Sequence, residues 1–89
     1  MSQDSQKNIR QILVSPSKMQ ILDSLANNAL SKEAIKYSIK TDPDIIEEIL
    51  ENLKKINVIE VHPNNLYSLS TTGKDLYKEI KKIIKELVI

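Results

Sequence analysis

Apolar residues first recur with a helical period at Met19, Ile21, Leu22, Leu25 and Ala26, directly after Ser15-Pro16-Ser17. Serine followed by proline suits an N-cap and a first helical position, so a helix is predicted over residues 16–27. Ahead of it, Ile9, Ile12, Leu13 and Val14 form a short apolar stretch of ambiguous period. It reads as a helical turn packed on the domain or on a second subunit, with residues 1–8 expected to be mobile. Asn27-Asn28 ends the Pro16 helix, Ala29-Leu30 suffices for a minimal strand, and Ser31 with Glu33 opens a helix over 32–39. Thr41-Asp42-Pro43-Asp44 breaks the chain and restarts it, because proline suits a first turn and Asp42 can accept orphan backbone N–H groups. The helix that follows carries Ile45, Ile46, Ile49, Leu50, Leu53 and Ile56 as a broad apolar stripe. Glu47, Glu48, Glu51, Asn52, Lys54 and Lys55 fall largely on its outer side.

Period then changes from helical to alternating. Val58, Ile59 and Val61 and, later, Leu66, Tyr67 and Leu69 are two β-prone runs around the turn-forming His62-Pro63-Asn64-Asn65, which predicts a hairpin. Ser70 or Thr71 caps a last helix in which Leu76, Ile80, Ile83 and Leu87 step by four, three and four residues, the seam spacing of a coiled coil. Ile84 and Val88 widen that seam beyond what a small helical body covers, so the helix is expected to carry an interface. The predicted fold class is mainly α with a small β-hairpin (α+β). Residues 1–14 form an N-terminal tail with a short apolar segment, 15–70 the main domain, and 71–89 a dimerisation helix.

Composition narrows the classes. Forty per cent hydrophobic and 28% charged residues in 89 positions describe one folded domain, not a disordered chain. With no Phe or Trp the core must be aliphatic, and a partner chain would help its stability. No cysteine and one histidine exclude disulfides and the usual zinc sites, and Asp42-Pro43-Asp44 lacks the later ligands of a calcium loop, so no metal or other cofactor is expected. His62 has no nucleophile or acid at motif spacing, and no glycine-rich phosphate loop exists, so no enzyme is expected. No run approaches the roughly 18 apolar residues of a membrane span, and the first ten residues are polar, so a soluble, cytoplasmic protein without membrane partners is expected.

The order helix, minimal strand, helix, turn, helix, hairpin, long helix resembles a winged helix-turn-helix domain. Ile49-Leu50-Glu51-Asn52-Leu53-Lys54-Lys55-Ile56-Asn57-Val58-Ile59 is similar to the family's third-helix ending, with Asn57 where the family has glycine. Asparagine tolerates the left-handed conformation required there. Leu66-Tyr67-Ser68-Leu69-Ser70-Thr71-Thr72-Gly73-Lys74-Asp75-Leu76 is similar to the segment leading from the wing into the last helix, where the sole glycine of this chain, Gly73, is implied to allow close packing. The resemblance covers residues 15–89 and is strongest to small archaeal-type transcriptional regulators that dimerise through the C-terminal helix.

This resemblance implies a homodimer that binds double-stranded DNA, with the Pro43 helix in the major groove and the hairpin as wing. Lys32, Lys36 and Lys40, at i, i+4 and i+8, are then placed to meet phosphates; Asn52 and Lys55 lie on the outer side of the third helix, and His62, Asn64 and Asn65 at the wing tip. Leu76, Ile80, Ile83, Ile84 and Leu87 are the expected dimer interface. One feature opposes DNA: six acids and only two lysines lie between Thr41 and Glu60, where family binders favour Ser, Thr, Arg or Lys. The alternative is therefore a protein-interaction module in which Asp44, Glu47, Glu48 and Glu51 bind a basic partner surface.

Overall fold

The computed structural model describes residues 3–88. The apolar stretch before Ser15 is not an isolated turn: it ends α1 (Gln3–Leu13), whose first turns occupy residues 3–8, where mobility is expected from sequence. Met1 and Ser2, which share that expectation, and Ile89 lie outside the described residues. The cause is helical spacing, since Ile9 and Ile12 are both buried and α1 packs on α2 (Pro16–Asn27) and on the C-terminal helix. Ser15 caps α2 by accepting from the Lys18 N–H at 3.3 Å, and Ile21, Leu22 and Leu25 face the core.

A two-residue strand, β1 (Leu30–Ser31), leads straight into α3 (Lys32–Ser38), capped by the Ser31 hydroxyl, which accepts from the Ala34 N–H at 3.1 Å. The helix stops at Ser38, one residue short of the predicted end, because Ile39 turns extended and enters the core. Asp42 then caps α4 (Pro43–Lys55) through the Asp44 N–H at 2.8 Å, and Ile46, Ile49, Leu50 and Leu53 are buried. Ile45 is not part of that stripe and is half-exposed. Where α4 ends, Asn57 is left-handed at φ 63°; the Val58 N–H donates to the Leu53 carbonyl at 2.9 Å and the Asn57 N–H to that of Lys54 at 3.0 Å. These bonds satisfy two of the helix's last carbonyls and bring the fully buried Leu53 and Val58 together.

The hairpin forms as predicted, from β2 (Ile59–Val61) and β3 (Leu66–Leu69). Its turn closes through the Asn65 N–H to the His62 carbonyl (2.8 Å) and the His62 N–H to the Leu66 carbonyl (2.9 Å), with Asn65 left-handed at φ 65°. That is a type I turn followed by a left-handed residue, for which asparagine is well suited. β1 joins the hairpin to give an antiparallel sheet of order β1-β3-β2, with Leu30 opposite Tyr67.

The last helix, α5 (Thr71–Val88), starts at a crowded joint. Ser70 is the one buried polar residue among those described; its hydroxyl donates to the Asn57 carbonyl at 2.6 Å and accepts from the Gly73 N–H at 2.9 Å. Any Cβ at Gly73 would collide with the Val58 carbonyl, so glycine is required by space. Further along, the Tyr77 hydroxyl donates to Asp23 of α2, and Lys81 lies 3.7 Å from the same carboxylate.

Burial of the Tyr77 hydroxyl beside Asp23 makes stability pH-dependent. Burial, and then the bond to Asp23, push the Tyr77 hydroxyl up to about 12 from an ordinary 10.0. The folded state thus holds this proton more tightly than the unfolded one, so the contribution is complete below pH 10 and is lost as pH rises towards 12. Tyr77→Phe is expected to cost about 1 kcal/mol at neutral pH. The gap between it and the wild type should close between pH 10 and 12, as followed by urea unfolding at each pH. A gap that persists unchanged across this range would refute the assignment.

Candidate nucleic-acid interface

Asp44, Glu48, Glu51, Asn52 and Lys55 are all exposed along the outer side of α4, where the helical period puts them. Glu47 is different. It sits on the flank of α4 that faces α3, and its Oε1 accepts from Lys32 Nζ at 3.2 Å and lies 3.3 Å from Lys36 Nζ. The bonds from Lys32 and Lys36 hold the Glu47 carboxyl below its ordinary value, and the same contact raises the Lys32 ammonium. Of the three lysines expected to meet phosphates, Lys32 and Lys36 are turned onto Glu47, and Lys40 has no ion pair among the described residues. By the same contact Glu47 leaves the acidic face, because its charge is already matched within the chain. Sequence spacing could place the lysines on one face of α3, but not the angle at which α4 crosses it.

Lys40 is exposed just before the corner into α4, and that corner is tied to α2 by a 3.1 Å hydrogen bond between the Ser17 and Thr41 hydroxyls. The wing tip places His62, Asn64 and Asn65 at the surface, as expected. His62 Nε2 is 2.7 Å from Ser68 Oγ, and the Asn64 side chain accepts from the Leu66 N–H at 3.3 Å. Asn52 and Lys55 do not look only outward. They share an open hollow with Lys7, Asn8 and Gln11 of α1, of which Lys7 and Asn8 belong to the segment expected to be mobile.

Two surface residues escaped the sequence reading. Tyr37 is 93% exposed, two residues from the buried Ile35 and therefore on the opposite side of α3; its period was the available signal. Lys18 borders a second hollow with Ile45, Glu48 and Asn52, which only the fold brings together.

The seam of α5 is divided. Leu76 and Ile80 are buried in the core of their own chain, whereas Ile83 and Ile84 are half-buried at its edge and Leu87 is 78% exposed. Coiled-coil spacing does not distinguish a partner helix from the chain's own α1 and α2, both of which pack on α5. The expected dimer interface is thus reduced to its outer half.

No protein-family model and no curated protein matches the chain. Solved structures of MepR from Staphylococcus aureus do resemble it, each at 18% identity. A mutant of MepR superposes with a TM-score of 0.76 over 96% of this chain and 69% of its own. A MepR–DNA complex gives 0.72 over 96% and 76%, and MepR described as a transcription regulator of the multidrug efflux pump MepA gives 0.71 over 94% and 70%. This likeness and the helix–helix–strand–helix–helix–hairpin–helix order define the fold as a winged helix, mainly α with a small antiparallel sheet.

Proposed function

We propose that the chain is a DNA-binding transcriptional regulator that acts by occupying duplex DNA. The observation that carries this reading is the likeness of 96% of the chain, α4 and the hairpin included, to MepR solved in complex with DNA. α4 enters the major groove in this reading, Lys40 and the wing residues His62, Asn64 and Asn65 approach the backbone, and Asn52 and Lys55 serve the flank. Pairing of Glu47 within the chain lowers the repulsion that the acidic helix would otherwise impose, and it weakens the case for a module that binds a basic protein surface. A homodimer through Ile83, Ile84 and Leu87 would present two such surfaces to a palindromic site.

The test is fluorescence anisotropy of a labelled random-sequence duplex over a salt series. Binding should weaken steeply with salt, by about 0.9 in log K per log unit of salt for each phosphate contacted. Lys40→Gln should lower affinity on every sequence alike and flatten the slope by about one contact. Absence of binding by the wild type at micromolar protein and low salt would overturn the proposal.

A further inference from the structure

Glu47 holds two cations at one oxygen, and neither partner is a sequence neighbour: Lys32 and Lys36 come from α3, one turn apart, and reach across to α4. Asp44, Glu48 and Glu51 on the same helix have no ion pair among the described residues. Side-chain exposures of 35% for Lys32, 27% for Lys36 and 44% for Glu47 leave the trio within reach of solvent, so its bonds can be exchanged for others. A backbone phosphate presents the same chemistry as the Glu47 carboxylate, an oxyanion accepting charge-assisted N–H bonds.

We infer that Glu47 is an internal competitor for DNA phosphates. In the free protein it keeps Lys32 and Lys36, and on docking its carboxylate holds both ammonium groups back from the duplex backbone. This inference rests on the DNA-binding reading above and adds to it a residue that sets how tightly any duplex is held. The cations next to α4 are not spare charge. Each one used on DNA would first have to leave Glu47, so the sequence-independent part of affinity is kept low.

The 89-residue chain, Glu47→Gln, Glu51→Gln and the triple variant Lys32→Gln, Lys36→Gln, Glu47→Gln are titrated against the same random-sequence duplex over a salt series. Glu47→Gln should bind about tenfold more tightly at low salt, with a log–log slope steeper by up to about 1.8, the value for two released cations. Glu51→Gln removes the same charge from the same helix but frees no lysine, and its slope should match the wild type. The triple variant should lose the added steepness. Wild-type binding with an unchanged slope in Glu47→Gln would overturn the competitor role while leaving DNA binding intact. Absence of binding by both proteins at low salt would overturn the DNA reading, and this inference with it.

Discussion

Gly73→Ala will destabilise the domain by about 3 kcal/mol, at the upper end of the usual cost of overpacking. The sign is the informative part. Within a helix, alanine is normally better than glycine by about 1 kcal/mol, and Gly73 has no left-handed backbone that would demand glycine. The opposing term is steric. A Cβ at this position meets the Val58 carbonyl, which is backbone, is fixed by the end of α4, and accepts from the Ser70 N–H at 3.1 Å. Relief would require α5 to lift from the root of β2, breaking the Ser70 contacts in the process. Urea unfolding should show a lower midpoint with an unchanged slope. An alanine variant as stable as the wild type would mean that α5 can shift freely at its start.

Ile80→Ala should be comparably damaging, costing about 2–5 kcal/mol, because Ile80 is fully buried where α5 closes over the core and alanine would leave a cavity. Leu87→Glu offers the contrast. With 78% of Leu87 exposed, its replacement should change monomer stability by less than about 0.5 kcal/mol. Sedimentation would then separate the two halves of the seam: Ile80→Ala should act through folding, and Leu87→Glu only on the proposed self-association. A Leu87→Glu chain that unfolds, or one that remains as oligomeric as the wild type, would remove the distal end of α5 from the interface.

Local signals survived folding where they were chemically strict. Ser15-Pro16, Ser31 and Asp42-Pro43 start helices because each side-chain oxygen satisfies an orphan N–H, a rule that needs no knowledge of the rest of the chain. Asn57 and Gly73 were legible through resemblance instead, and the structure gives each its physical reason, a left-handed backbone at the first and a close backbone approach at the second. What could not be read depends on angles between elements. The two-residue β1 gives no register of its own, so its pairing with β3 emerges only once α2 and α3 hold it there. Lys32 and Lys36 look like a free ridge until the crossing of α3 and α4 brings Glu47 between them. Ile9 and Ile12 are too few to announce an eleven-residue helix, and their burial depends on a groove made by α2 and α5. That same groove explains why half the α5 seam is already occupied.

The Ser70 joint gives α5 the character of a lever. One hydroxyl bridges the last loop of α4 and the first turn of α5, and Gly73 lets the two backbones meet without a side chain between them. Eighteen residues of helix extend from this fulcrum, an arm of roughly 27 Å at 1.5 Å per residue. Displacing its far end by roughly 5 Å therefore needs only about 10° of rotation at the root. A load placed near Leu87 is therefore met first by the buried Ile80 and Leu76 and by the Tyr77–Asp23 bond, and only then by the Ser70 joint.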